Sequence, residues 1–263
     1  IGMNLMSSNY KVALEVLEQV DVPHKIVGGS QATLRCEDYK EKYLVITGEA
    51  ESIFLEAIKT PRTGIMHGEK IKDLDTLPFI DRTLFCNDPY EYDNKIEATT
   101  ATSRGCLFEC AFCTVPIVNG RSMRARSIKN VIDEIKLLRV QGINSIHFMD
   151  DLFNFSRERV EEFCDALIKE DLNISWRALC RIDLLDDNLL EKMKQSGCYK
   201  LAFGLESATP RILKYIRKDY DLEQVKHILT TCRELGIQTK GFFTVGYPTE
   251  SEQEIQDTIN FIC

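Results

Sequence analysis

Two stretches of the chain alternate short apolar runs with amphipathic ones, and a weakly periodic stretch separates them. In the first, "IGMNLM" reads as a buried strand, and "YKVALEVLEQV" follows with Ala13, Val16, Leu17 and Val20 at helical spacing. "KIVGG" and "YLVITGE" are short β-rich runs that end in or near glycine. This βαβ alternation predicts a parallel sheet with crossover helices over residues 1–58. Between 59 and 94 the pattern lapses: Pro61, Gly64, Gly68 and Pro78 break any long element, and "KDLDTLPFIDR" reads as an ordered linker.

From Ile96 the alternation resumes at a longer period. "IEATTATS" reads as a strand, and "SIKNVIDEIKLLRVQG" as a helix with Ile128, Val131, Ile132, Ile135 and Leu138 on one face and Gly142 as its stop. Strand "SIHFMD", helix "SRERVEEFCDALIKE", strand "ISWRALC", helix "DDNLLEKMKQSG" and strand "YKLAFGLE" follow. Thr209 and Pro210 open the next helix, and "DLEQVKHILTTCRELG", "QTKGFFTVG" and a helix from Ser251 complete the run. Five successive βα units predict an α/β fold, a partial (β/α) barrel over 95–263, rather than a short doubly wound sheet.

With 263 residues and 44% hydrophobic content, the chain can bury a large core. A net charge of −8 argues against a nucleic-acid partner. The longest apolar runs, such as "GFFTVGYP", are too short to span a bilayer, and no secretory signal pattern is visible. Ten scattered cysteines suit reduced thiols rather than a disulfide scaffold, which points to the cytoplasm. The chain opens at Ile1 within an apolar stretch and stops at Cys263 within a helix capped by Ser251 and Glu254, so a fragment truncated at both ends is expected.

The candidate chemistry concentrates in "TSRGCLFECAFCTVP", where Cys106, Cys110 and Cys113 fall within eight residues, just after a barrel strand. Reactive groups of parallel barrels sit in the loops at the strands' carboxyl ends. Three thiolates suit a metal centre that keeps one position open, such as three corners of a 4Fe-4S cube. The alternatives are a zinc site completed by a distant histidine, or chance clustering of thiols. For zinc, His147 is the one histidine between the triad and the fourth strand, and it lies within a strand.

The stretch "RGCLFECAFC" resembles the C-x3-C-x2-C loop of radical S-adenosylmethionine enzymes, including an aromatic, Phe112, before the last cysteine. "VNGRSMRARSIKNVIDEI", "FMDDLF", "FGLESA" and "FFTVGYPTES" resemble further stations of that barrel, in order. The resemblance implies a 4Fe-4S cluster on Cys106, Cys110 and Cys113. Its open iron would chelate S-adenosylmethionine, which an electron cleaves to a 5′-deoxyadenosyl radical that abstracts hydrogen from an unactivated carbon. It also implies cofactor contacts at Phe112 (adenine), at Met149, Asp150 and Asp151 (methionine amino group), and at Glu206 and Ser207 (ribose and amino acid). Gly246 would lie beside the adenine and Arg181 would pair with the carboxylate. Each has a structural alternative: Asp150 and Asp151 could cap a helix, and Glu206 could be an ion-pair partner. Arg124 and Arg126 equally suit a solvated face. Cys164, Cys232 and Trp176 read as packing, and Cys36, Cys86, Cys180, Cys198 and Cys263 carry no assignment.

Residues 1–58, through "IVGGSQATL", "YLVITGEAESIFLEAI" and "IKDLDTLPFIDRTLF" just beyond, resemble the later part of the Rossmann-like cobalamin-binding domain that precedes many such barrels. That implies a corrin contact at Gly28 and Gly29, and methyl transfer, ring formation or rearrangement as the outcome. The cobalt-ligating "DxHxxG" stretch is not in this chain, and Asn4 and Gln31 stand where that family often has serine and histidine. The resemblance further implies a small-molecule substrate and a low-potential flavodoxin- or ferredoxin-type electron donor. A methylthiotransferase is the competing enzyme, because "CTVPIVNGRSMRARS" also resembles that family's loop. A non-catalytic iron–sulfur or cobalamin-sensing module would not need the later stations.

Overall fold

The computed structural model describes residues 1–59, 61–84, 90–218 and 220–263, so Cys86 lies outside the described residues. The chain divides into two compact units, Ile1–Asp73 with Thr114–Arg121, and Leu74–Cys113 with Ser122–Cys263.

The first unit is a four-stranded parallel sheet in the order β1 (Gly2–Asn4), β2 (Ile26–Gly28), β3 (Leu44–Gly48), β4 (Gly64–Gly68). Alternation along a strand sends neighbouring side chains to opposite faces. Val27 and Val45 therefore join Ala13 and Leu17 of α1 (Tyr10–Gln19), Ala32 of α2 (Ser30–Leu34) and Tyr39 of α3 (Cys36–Tyr39). Ile26, Leu44 and Ile46 pack on the other face against Ala57 of α4 (Phe54–Ala57). Both faces are covered, which is why these strands are nearly continuous in apolar residues. Strand β4 lies where the sequence reads as linker: its two glycines and the nearby Pro61 hide a "GIMHG" strand that pairs along its whole length with β3.

The second unit is a curled six-stranded sheet, the partial barrel that the alternation predicts. Its order is β5 (Glu91–Tyr92), β6 (Lys95–Thr100), β9 (Ser145–Phe148), β10 (Ser175–Cys180), β11 (Cys198–Glu206), β12 (Gln238–Phe243). All neighbours run parallel except the β5–β6 hairpin. A separate ribbon, β7 (Ser103–Arg104) with β8 (Arg124–Ala125), closes the base of the cysteine loop. The short α5 (Val115–Val118) lies within that loop.

The outer face of this sheet carries the core. Ile146, Phe148, Trp176, Ala178, Leu201 and Phe203 meet α6 (Ile128–Val140), α7 (Arg157–Glu170), α8 (Asp187–Gln195) and α10 (Leu222–Glu234). Phe148, Phe153, Phe163 and Trp176 form one aromatic knot, with ring centroids 5.2–6.0 Å apart and mostly edge to face. Side-chain caps start the helices where the sequence offers them: Ser127, Ser156 and Asp186 each accept from the backbone N–H three residues on. Ser251 and Glu254 form the reciprocal capping box of α11 (Glu252–Ile262), and α9 (Pro210–Tyr215) begins with its proline in the first turn.

The inner face is polar at its floor. Arg177 of β10 binds both oxygens of the buried Glu97 of β6 at 2.8 and 2.6 Å, across the intervening β9, and Tyr199 reaches the same carboxylate at 3.2 Å. Its guanidinium also covers the Tyr92 ring at 4.1 Å, and Lys200 binds the Tyr92 hydroxyl and Asp93. Among the described residues no helix is long and apolar enough to cross a membrane.

Candidate active site

The three cysteines of the triad are partly buried in the loop that leaves β7. Two adjacent carboxylates fasten its root. Asp150 is 3% exposed: its Oδ1 and Oδ2 both accept from the Thr102 backbone N–H at 3.1 Å, and Oδ1 accepts from the Thr102 and Ser103 hydroxyls at 2.8 and 2.5 Å. Burial pushes the Asp150 carboxyl up, while those donors pull it down. Asp151 accepts from the backbone N–H of Gly105 at 2.8 Å. Gly105 holds φ at +98°, a conformation that glycine adopts without penalty, and the chain turns there into Cys106.

Further along, the N–H of Ala111 donates to Ile216 O at 3.0 Å and that of Cys113 to Cys110 O at 3.1 Å. Burial raises the Cys106 thiol pKa. A hydrogen bond with the Phe108 backbone offsets part of that, and the nearby Cys110, Cys113 and Asp151 add to it. Among the described residues no three His, Cys, Asp or Glu side chains converge on one point that suits a single metal ion. A four-iron cube spreads its thiolates over separate irons, and three cysteines on one loop fit that donor set.

The remaining candidates fall into two groups. Around the loop, Arg181 follows β10 and lies beside Cys110, Met149 follows β9 with its side chain exposed, and Phe112 is exposed with its ring 6.0 Å from that of Tyr247. Tyr247 follows Gly246, which holds φ at +86°, and both backbone N–H groups donate to Glu250, at 2.5 and 3.0 Å. At the end of β11, Glu206 is a non-glycine residue at φ +61°, buried, paired with Lys218 at 3.0 Å and bound by the Thr244 hydroxyl at 3.2 Å. Strain of this kind persists only where surroundings over-determine it. Ser207, 1% exposed, meets the Thr258 hydroxyl of α11 at 3.2 Å and accepts from the Thr209 N–H.

Sequence reasoning passed over Lys218, Thr102, Asn154 and Tyr247. Lys218 is the buried cation of the Glu206 site and also donates to Gly204 O. In the first unit, a Cβ on Gly29 (φ +95°) would meet Asn4 Oδ1 at 1.9 Å and Leu5 O at 2.7 Å, so the chain's own packing requires that glycine. Gly28 would meet only Ile46 O at 3.6 Å.

A curled parallel sheet with a three-cysteine loop at the strands' carboxyl ends defines a barrel of the kind that houses iron–sulfur chemistry. The sequence pattern of the Radical SAM superfamily matches residues 100–262, and the chain belongs to that superfamily. An uncharacterized methyltransferase of Pyrococcus horikoshii is 34% identical over 73% of this chain and 42% of its own length. The bacteriochlorophyllide d C-12(1)-methyltransferase of Chlorobaculum tepidum is 27% identical, over 100% of this chain and 60% of its own. The chain thus spans less than two thirds of these relatives. Among solved structures, the radical S-adenosylmethionine methyltransferase TsrM of Kitasatospora setae, with cobalamin and a [4Fe-4S] cluster bound, superposes with a TM-score of 0.73 at 16% identity. That alignment covers 99% of this chain and 59% of TsrM. The cobalamin-dependent enzyme OxsB gives 0.71 at 18% identity, over 99% of this chain and 43% of OxsB. Both likenesses are of fold.

Proposed function

We propose that the whole protein is a radical S-adenosylmethionine enzyme in which Cys106, Cys110 and Cys113 hold a 4Fe-4S cluster, acting in methyl transfer or ring formation on a small-molecule substrate. The observation that carries this is the cysteine loop itself: three cysteines on one loop at the carboxyl ends of parallel strands, rooted through Asp150 and Asp151. When bound, the cluster supplies one-electron reductive cleavage of S-adenosylmethionine, and with it hydrogen abstraction from an unactivated carbon.

The chain's own residues bind and shield. Phe112 and Tyr247, whose rings lie 6.0 Å apart and are tilted by 49°, offer an apolar flank to a purine beside Gly246. Met149 lies exposed just after β9, and its backbone carbonyl would accept from an ammonium group there, with Asp151 adding negative charge beside it. Asp150 is fully engaged with Thr102 and Ser103, so its part is to hold the loop. Glu206 and Ser207 lie at the end of β11, two strands on, with Lys218 supplying the balancing charge. A covered site protects a reactive species from solvent. A flavodoxin- or ferredoxin-type protein is the electron donor this chemistry calls for.

Methyl transfer is favoured because the relatives from Pyrococcus horikoshii and Chlorobaculum tepidum are methyltransferases. A cobalamin role for the whole protein rests on the relatives and on the fold, because Gly29 serves internal packing and Gly28 is not crowded. The test is anaerobic reconstitution of the full-length protein with iron and sulfide, reduction, and electron paramagnetic resonance with and without S-adenosylmethionine. A 4Fe-4S signal that changes with the cofactor and disappears in Cys110→Ala supports the reading. A cluster indifferent to the cofactor supports a carrier or sensor, and stoichiometric zinc without a cluster sinks it.

A further inference from the structure

The guanidinium of Arg181 is held on three sides. Its Nε and Nη2 donate to the two oxygens of Asp183 at 3.0 and 2.8 Å, and its flat face lies 3.7 Å from the centroid of the Phe108 ring. Its backbone is clamped by Asn154, which is 2% exposed, accepts from the Arg181 N–H at 2.9 Å and donates to its carbonyl at 2.8 Å. The Arg181 side chain is itself 9% exposed. These anchors leave Nη1 directed at the sulfur of Cys110, 3.9 Å away. A guanidinium serving a ligand carboxylate presents its two-nitrogen fork. Here that fork is already closed by a carboxylate two residues along the chain.

We propose that Arg181 is a positioning residue that tunes the electron affinity of the group held by Cys110, donating an N–H···S hydrogen bond to its thiolate while Asp183 fixes the donor and moderates its charge. The inference rests on the cluster reading given above. A donor and a positive charge beside a ligand sulfur withdraw electron density from it, which favours the state that carries the extra electron. Asp183 opposes this through its own charge. Phe108 keeps water from one face of the guanidinium, so the field at the sulfur is less screened.

The test is an anaerobic redox titration of the reconstituted full-length protein without S-adenosylmethionine, followed by electron paramagnetic resonance. Arg181→Met is expected to move the midpoint potential to more negative values, and Arg181→Lys, which keeps charge but not the fork, to fall between. Asp183→Asn keeps the guanidinium and removes the opposing charge, so it moves the potential the other way. Opposite signs separate tuning from loosening, because a merely structural role shifts both variants alike. Equal shifts, or none, overturn the proposal. So does an Arg181→Met variant of unchanged potential whose affinity for S-adenosylmethionine falls, since the guanidinium then serves the cofactor. Should Arg181→Met fail to retain iron, the direction of the Asp183→Asn shift decides. A wild-type protein that assembles no cluster removes the cluster reading itself and this inference with it.

Discussion

Thr102 and Asp150 stand 48 residues apart and close a single buried knot: backbone N–H and hydroxyl of the first both donate to the carboxylate of the second. The knot joins the start of the cysteine segment to the end of strand β9. It explains how a loop with little regular structure of its own keeps a fixed root.

Asp150→Ala is expected to leave two hydroxyls and an N–H without their acceptor, and so to cost roughly 2–3 kcal/mol of stability. Iron retention after reconstitution should fall as well, because the loop loses its root. Urea denaturation and iron content measure the two effects. Full iron retention at reduced stability would detach Asp150 from the loop's organisation.

Lys218→Met removes the partner of a carboxylate in a buried pair whose side chains are each 9% exposed. Breaking such a pair costs about 3–5 kcal/mol, because an uncompensated charge stays behind. Adding Glu206→Gln should recover much of that loss. Thermal unfolding of the single and double variants checks the coupling, and strict additivity would contradict it.

Trp176 is fully buried among Phe148, Phe153 and Phe163, and its indole N–H donates to Ser196 O at 3.1 Å. Trp176→Ala should cost about 3–5 kcal/mol. As the one tryptophan, it should emit in the blue and be quenched little by iodide in the native state. Ready quenching would contradict its position.

Glu254 is pulled to about 2, first by its hydrogen bonds to Arg211 and then by the Ser251 backbone N–H. The ionised form is therefore favoured by the fold, and its stabilising contribution is complete above the ordinary value of 4.5. It is lost as the pH falls from there towards 2. The first turn of α11 should lose amide protection across that window, and hydrogen exchange by pH reads it. Glu254→Gln should abolish this dependence.

The periodic elements were legible because one interaction dominates each: the apolar stripe of α6 and the alternation of β10 follow directly from what packs against them. Strand β4 was hidden because its five residues carry two glycines and take their order from β3 rather than from their own preference. In the site, the triad was legible as spacing alone. The adjacent Asp150 and Asp151 were not told apart, although parity separates them: Ile146, Phe148 and Asp150 are all buried, while Met149 and Asp151 fall on the other side. The pairing of Glu206 with Lys218 depends on how α9 returns the chain, and that of Asn154 with Arg181 on two loops meeting. No local pattern encodes either.

The Glu97–Arg177 contact skips a strand. In a flat sheet those two backbones would lie about 9–10 Å apart, two strand spacings, with parallel side chains pointing away together. Closing that span with an ion pair acts as a hoop does on staves: it draws the strands inward and sets the girth of the bowl at its base. At the rim the ties described above, Thr102 to Asp150 and Asn154 to Arg181, each join the ends of adjacent strands, which leaves loops there room to diverge in length and chemistry while the base keeps its diameter.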